Sequence, residues 1–329
     1  MPQSAPSTLQ QPPGVRIDVG GQAVIEGVMM RSPRSLAVAV RKPNGDIALK
    51  EDEWRSLSER FPFLKWPVLR GSVVFVEALV NGIQALSFSA SQASGTEEEQ
   101  ASPLSIALTM AVGMGLAILL FVILPHALSG YLLALLGPGY GLNSISFNLV
   151  DGLLKISLFL AYVWGISFFG EVRRLFEYHG AEHKSIYAYE AGAELTVANA
   201  RGYSRLHPRC GTSFIVLVML ISIAFFSAAF SLLPGAAAAG SWRSLPFMGL
   251  KLVFMFPVAG LAYELTRFCS RRMDRKLTRV VVSPGMWLQH LTTREPSDDQ
   301  LEIALSALKS ALAMEQAKRE VALAQVSVP

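Results

Sequence analysis

Between Glu99 and Asp151 the chain carries no Asp, Glu, Lys or Arg, and between Arg209 and Arg243 it carries none either. Each gap exceeds the roughly 20 apolar residues that an α-helix needs to cross a bilayer. Backbone placed in lipid must satisfy its own hydrogen bonds, so helices are what such stretches can form. Composition agrees: 16% of residues are charged and the mean hydropathy is +0.38, against roughly a quarter charged in ordinary soluble domains. The pattern predicts a mainly α membrane protein with about four transmembrane helices, over 104–125, 149–170, 213–233 and 245–268.

Charge outside these spans predicts an orientation. The connection 126–148 has no Lys or Arg, and 234–244 has only Arg243. The middle connection carries Arg173, Arg174, Lys184, Arg201, Arg205 and Arg209, and Arg267, Arg271, Arg272, Arg275, Lys276 and Arg279 cluster around and after the end of the last span. The positive-inside rule places both segments in the cytosol, and an even number of spans then places both termini there. Cys210 and Cys269, the two cysteines, fall on that reducing side, so no disulfide framework is expected. The net charge of +4 is modest, and no nucleic-acid partner is expected.

The remaining segments read as cytosolic accessories. Residues 1–16 are polar and proline-rich without an apolar signal region, and read as a disordered tail. Residues 17–66 hold a small β element: LAVAVRKPNGDIALKEDEW alternates apolar and polar residues around Pro43-Asn44-Gly45-Asp46, a hairpin signature. The motif GGQAVIEGVMMR before it reads either as a bending strand or as a loop presenting Glu26. In 67–90, Arg70, Glu77, Asn81 and Gln84 share one helical face, which favours an amphipathic surface helix over a fifth span. Were it to cross, the termini would lie on opposite sides. Residues 269–329 end in another amphipathic helix, capped at Ser297-Asp298-Asp299.

The chemistry concentrates after the second span, in Tyr178-His179-Gly180-Ala181-Glu182-His183-Lys184. On a helix the H-x-x-E-H spacing puts His179 and His183 one turn apart on one face, where both reach a single divalent ion, zinc by donor type. Glu182 then lies close enough to act on a water, as the general base does in inverted zincins. The bland alternative is an interfacial helix whose imidazoles and carboxylate bond to neighbouring basic groups. A metal needs a third ligand, and Glu264, His207 and Cys210 all fall at the cytosolic ends of the spans. Each has an ordinary reading: Glu264 paired with Arg267, and His207 and Cys210 forming a turn into a helix with a buried thiol, which for Cys210 is the favoured one. Glu190, two turns beyond His183, reads as a solvated charge.

GGQAVIEGVMMRSP, PVLRG, YHGAEHK, LHPRCGTSF, AGLAYEL and LTTREP, in this order between Gly20 and Pro296, resemble the YqhQ-like proteins, a bacterial family of unknown function sometimes catalogued as predicted metal-dependent enzymes. The resemblance extends to about Leu312 and implies a multi-pass protein of the bacterial cytoplasmic (inner) membrane. It supplies no substrate. The leading expectation is a metal-dependent hydrolase, peptidase-like, acting at the cytosolic membrane face. There His179 and His183 bind a divalent metal, Glu264 or His207 completes the set, and Glu182 activates water. A non-catalytic scaffold for a protein partner is the rival. A transporter, with the Arg70–Gln84 stripe and Glu264 lining its path, is a weaker one that four spans would serve only in a homo-oligomer.

Overall fold

The computed structural model describes residues 16–95, 103–137, 145–231 and 245–326. The tail expected over 1–16 lies outside these, but for its last residue. The chain opens with four antiparallel strands in the order β1 (Gly20–Val24), β2 (Gly27–Arg31), β3 (Ser35–Arg41) and β4 (Ile47–Glu53). The expected β3–β4 hairpin is present, pairing Arg41 with Ile47 and Ser35 with Glu53. Its turn is held by Asn44, whose Oδ1 accepts from the Asp46 N–H at 3.1 Å, and by Gly45 at φ 91°. The glycine-rich motif is also a hairpin. Val24 pairs with Gly27, so Ile25 and Glu26 form the turn, and Glu26 takes the uncommon φ of 50°.

Period-two alternation in β2 and β3 builds two cores. Val28, Met30, Ala37 and Ala39 face one side; Met29, Leu36, Val38 and Val40 face the other. After a helical turn α1 (Leu57–Arg60) and a 3-10 turn (Pro62–Lys65), the long helix α2 (Leu69–Ser94) covers the second side through Ala85 and Phe88. The first side is covered by two helices introduced below, so the sheet is sandwiched between helices and buries both faces.

The apolar part follows. Helix α3 (Pro103–Ile118) runs through a π turn at Leu119–Ile123 into α4 (Leu124–Ala134). The first span therefore does not end near Pro125. The widened turn precedes Pro125, which sits in the first turn of α4, where its missing N–H costs little. Then come α5 (Ile145–Ile166), α6 (Gly170–Glu190), α7 (Val197–Arg201), α8 (Gly211–Ser231), α9 (Leu245–Ser270), α10 (Lys276–Thr292) and α11 (Asp298–Val326). Among the described residues five helices, not four, are long and apolar enough to cross a membrane: Leu69–Ser94, Leu108–Ala134, Ile145–Ile166, Gly211–Ala229 and Gly249–Ser270.

The additional one is α2, and its packing explains why its sequence was ambiguous. Two residues of the polar stripe, Glu77 and Asn81, are buried against the protein while Gln84 is exposed, and Glu77 accepts from the Ser56 hydroxyl at 2.9 Å and the Leu57 N–H at 2.7 Å. Val76, Leu79, Val80, Ile83 and Leu86 form its exposed face. Near its start Gly71 lies so close to α9 that a Cβ there would be 2.8 Å from the Gly260 Cα; small residues allow this backbone approach. Helices α6 and α11 cover the first face of the sheet through Ala181, Ile186, Leu301, Ala304 and Leu308. The α11 start is a reciprocal capping box: the Gln300 N–H bonds Ser297 Oγ at 3.4 Å, and the Ser297 N–H bonds Gln300 Oε1 at 2.8 Å.

Candidate metal centre

Helix α6 leaves the apolar helices and runs under the sheet, so Tyr178 to Ile186 are all buried. Its position is pinned from both sides. Glu26 in the β1–β2 turn forms a two-point ion pair with Arg174 and accepts from the Tyr178 hydroxyl at 3.2 Å. On the other side the segment after α10 crosses α6, with the Arg294 N–H bonded to the Phe176 carbonyl at 2.8 Å. Gly180 permits this crossing, because a Cβ there would lie 2.0 Å from the Arg294 carbonyl oxygen. Lys184 donates to the Arg201 carbonyl at 2.9 Å and pairs with Glu295, which ties α7 and the crossing segment to the same turn of α6.

The two histidines of the H-x-x-E-H motif stand together, with ring centroids 4.5 Å apart. His179 Nδ1 meets the Thr292 carbonyl at 2.8 Å, and His183 Nδ1 meets the Arg205 carbonyl. A carbonyl only accepts, so Nδ1 carries the proton in both rings and each Nε2 presents a lone pair when the ring is neutral. His179 Nε2 lies 3.1 Å from Cys210 Sγ. His183 Nε2 is buried without a hydrogen-bond partner. Ligand atoms of His179, His183 and Cys210 all fall within 4.8 Å of one another.

Two imidazole nitrogens and a thiol at this spacing are donors of the kind that could hold a divalent ion such as zinc. Bond lengths near 2.0–2.3 Å in a tetrahedron require donor–donor distances of about 3.3–3.6 Å, so closing around an ion asks for movements on the order of 1 Å. An outer carbonyl on the far nitrogen of each ring is the usual way of fixing a ligating imidazole. Cys210 immediately precedes α8, and its sulfur accepts from the Thr212 N–H at 3.4 Å. The helix start thereby aims the thiol at the histidine pair.

Glu182 lies between these groups and β1. Its carboxyl packs against Gly21, where a Cβ would sit 2.7 Å from the Glu182 Cγ. Burial raises its pKa, opposed by His179, His207 and the Gly21 N–H. Burial lowers that of His183, against the influence of Cys210 and the Arg205 carbonyl. His207 is pushed down to about 4 by burial, with Glu182 working against it. For His183 the shift favours the neutral ring, the form of imidazole that binds a metal.

The other residues singled out by sequence lie elsewhere. Glu264 forms a two-point ion pair with Arg70 at the α2–α9 contact and is not among the clustered donors. His207 stacks near His183, centroids 5.6 Å apart, but both of its nitrogens are engaged. Nδ1 accepts from the Arg209 N–H at 3.3 Å, and Nε2 faces Glu190 Oε2 at 3.4 Å. Glu190 is not a solvated charge, because Arg209 and His207 both turn to it. Cys210, expected to be a buried thiol, is buried and lies beside the two histidines. The only hint in the sequence was its place just before a span at the depth of the H-x-x-E-H helix. Thr292 and Arg205 act through backbone oxygens, which leave no mark in residue type.

A family model described as "Protein of unknown function (DUF1385)" matches residues 66–314. The chain is also 32% identical over 310 residues to a protein of Bacillus subtilis (strain 168) described as "Uncharacterized protein YqhQ", covering 90% of this chain and 92% of that one. No solved structure matches the chain. Both matches span the apolar helices and the His179–His183–Cys210 cluster together, and the chain belongs to the DUF1385 family of proteins of unknown function.

Proposed function

We propose that this chain is a membrane-embedded, metal-dependent hydrolase whose centre is held by His179, His183 and Cys210 at the cytosolic face of the bacterial inner membrane. The observation that carries the reading is the pair of Nδ1–carbonyl bonds, which leave two Nε2 lone pairs beside a thiol. A zinc ion held there would lower the pKa of a water and polarise a scissile carbonyl. Three protein donors leave a fourth position for that purpose.

The chain's own groups have distinct tasks. His179, His183 and Cys210 supply nitrogen and sulfur donors, and the carbonyls of Thr292 and Arg205 keep both rings in the ligating tautomer. Glu182 would accept a proton from the attacking water at its carboxylate and return it to the leaving group, and burial, which raises its pKa, favours holding that proton in between. Helix α10 supports the membrane setting. Leu277, Val280 and Trp287 recur along its exposed face, next to Arg271, Arg272, Arg275 and Arg279, a pattern suited to an interface with anionic lipid. Substrates are then membrane-proximal peptides or esters.

A second reading draws on burial. His183 is 1% exposed and Glu182 6%, as suits a structural centre that locks α6, α8 and the α10–α11 connection in a non-catalytic scaffold. Glu182→Gln separates the two. In the hydrolase it retains metal and loses turnover of peptide and ester panels by about 10²-fold or more. If the wild-type protein is loaded with zinc and turns over none of these substrates, the scaffold reading stands instead.

A further inference from the structure

Three parts of the chain that are far apart in sequence meet in one core, and this limits how often the chain can cross a membrane between them. The sheet precedes α2, α6 lies between α5 and α8, and α11 follows α9. Ala39 of β3, Ile186 of α6 and Leu308 of α11 pack in the same cluster. Arg174 of α6 pairs with Glu26, and Ser32 Oγ donates to Glu315 of α11 at 3.0 Å. Elements that share a core lie on one side of a membrane, so an even number of crossings separates any two of them. Between α6 and α11 stand two helices long and apolar enough to cross, α8 and α9. Between β4 and α6 stand three, α2, the continuous α3–α4 and α5, and an even count leaves one of them out.

The contacts of α2 mark it as the one. From Gly82 onward it lies on the sheet itself: a Cβ on Gly82 would be 2.6 Å from Gln22 Oε1, Ala85 and Phe88 fill the second core, and a Cβ on Gly95 would be 3.3 Å from Pro43 Cγ in the β3–β4 turn. Its remaining part, from Leu69 to Asn81, is about 20 Å long, short of the ~30 Å of hydrocarbon in a bilayer. Helices α3, α4 and α5 pack instead on one another and, through α5, on α8 and α10.

The residues before α2 double back along it. Ser56 and Leu57 meet Glu77 Oε1, whereas the Val68 carbonyl oxygen lies where a Cβ on Gly260 of α9 would be only 2.2 Å away. Residues 57–77 are therefore a helical hairpin whose tip, Pro67–Val68, rests on an apolar helix. Gly260 stands seven residues before Arg267, about 10 Å along α9, deeper than the basic cluster that marks the headgroups. Interfacial helices bury their apolar faces about 5–10 Å deep. The surface of the tip suits that depth: Phe63 and Trp66 are 54% and 66% exposed, Phe61 and Leu69 are exposed as well, and the apolar outer face of α2 continues from them. Arg60 and Lys65 have stems long enough to carry their charges out to the headgroups.

We infer that α2 does not cross the membrane, and that residues 57–77 form a re-entrant hairpin dipping into the leaflet on the sheet's own side. The partner of its exposed face is the lipid of that leaflet, met by Phe61, Phe63, Trp66, Leu69 and the outer face of α2. The hairpin thereby holds the sheet, and α6 beneath it, against the membrane surface. This arrangement does not depend on a metal at His179, His183 and Cys210.

The test uses the full chain and two readouts. Cys210 and Cys269 are buried, so the wild type serves as the unlabelled background. Arg55→Cys and Ser94→Cys place one exposed thiol before the hairpin and one after it. In spheroplasts a membrane-impermeant maleimide should label both at least tenfold more after permeabilisation than before. Labelling of one from outside and of the other only after permeabilisation is the result of a fifth span and overturns the inference. Labelling of both from outside upholds the hairpin and reverses the orientation of the whole chain. For the lipid contact, nitroxides on Phe63→Cys and Leu79→Cys, one on each arm, are measured in vesicles of phosphatidylethanolamine and phosphatidylglycerol, with circular dichroism to show that each variant folds. Oxygen should relax both more strongly than a water-soluble nickel chelate does. Stronger relaxation by the chelate at either position puts that arm in water and overturns lipid as the partner.

Discussion

His179 Nδ1 donates to the carbonyl oxygen of Thr292 at 2.8 Å, and this bond decides which face of the ring is left for a ligand. The carbonyl belongs to the end of α10, 113 residues away in sequence, so the proposed metal site would depend on how the segment after α10 crosses α6. Gly180→Ala should reveal that coupling. The added methyl would lie 2.0 Å from the Arg294 carbonyl oxygen, and backbone cannot yield as a flexible side chain does. Displacing 292–294 should weaken zinc binding by roughly 10–100-fold, the usual cost of disturbing an outer-shell partner. Chelator competition measures it; unchanged affinity would show that the crossing does not orient the ring.

Gly21→Ala probes the other side of the site. Its methyl would press on the Glu182 carboxyl, 2.7 Å from Cγ and 2.9 Å from Oε1. The donors themselves are untouched, so zinc should be retained. Hydrolysis, if Glu182 carries the proton, should fall by about tenfold or more. Joint measurement of zinc content and turnover checks this, and a loss of zinc with turnover per bound zinc intact would contradict the assigned role of Glu182.

Glu264→Gln should leave zinc stoichiometry unchanged while loosening α2 from α9. The two-point pair with Arg70 is partly buried, with side chains 31% and 22% exposed, so the destabilisation should be modest, about 1 kcal/mol. Thermal unfolding in detergent together with elemental analysis separates the two effects. Loss of zinc in this variant would return Glu264 to the ligand set.

Acid sensitivity should be traceable to His207. Its pKa falls from the ordinary value near 6.5 to about 4 in the folded chain. The unfolded chain therefore binds the proton first, and the neutral buried ring contributes stability at neutral pH that is lost as pH falls through 6.5 toward 4, in total roughly 3 kcal/mol. Glu182 works in the opposite sense, since its raised pKa favours the folded state as pH falls. The difference between wild type and His207→Gln isolates the histidine. Melting temperatures from pH 7 to pH 4 should fall more steeply in the wild type; equal slopes would contradict the assignment.

Much of the architecture was legible because lipid and sheet impose simple rules. The two charge-free gaps mark apolar helices, alternation around Asn44-Gly45 marks a hairpin, and the spacing of His179 and His183 places them one turn apart. Helix α2 was ambiguous because Glu77 and Asn81 look like a solvent-facing stripe, whereas they point into the protein and its apolar residues point out. Glu264 was misplaced because its partner, Arg70, lies 194 residues away and nothing local announces it. Cys210 was undervalued because a lone cysteine is usually just buried. The carbonyls that orient the rings belong to Thr292 and Arg205 only by position, which residue type does not encode.

The central claim is tested most directly by elemental analysis of the full chain, purified without chelator, beside His183→Ala and Cys210→Ser. The account predicts one zinc per wild-type chain, its loss in both variants, and retention of the helical content measured by circular dichroism. Absence of any metal from the wild type reconstituted with zinc, or full occupancy in both variants, would contradict it.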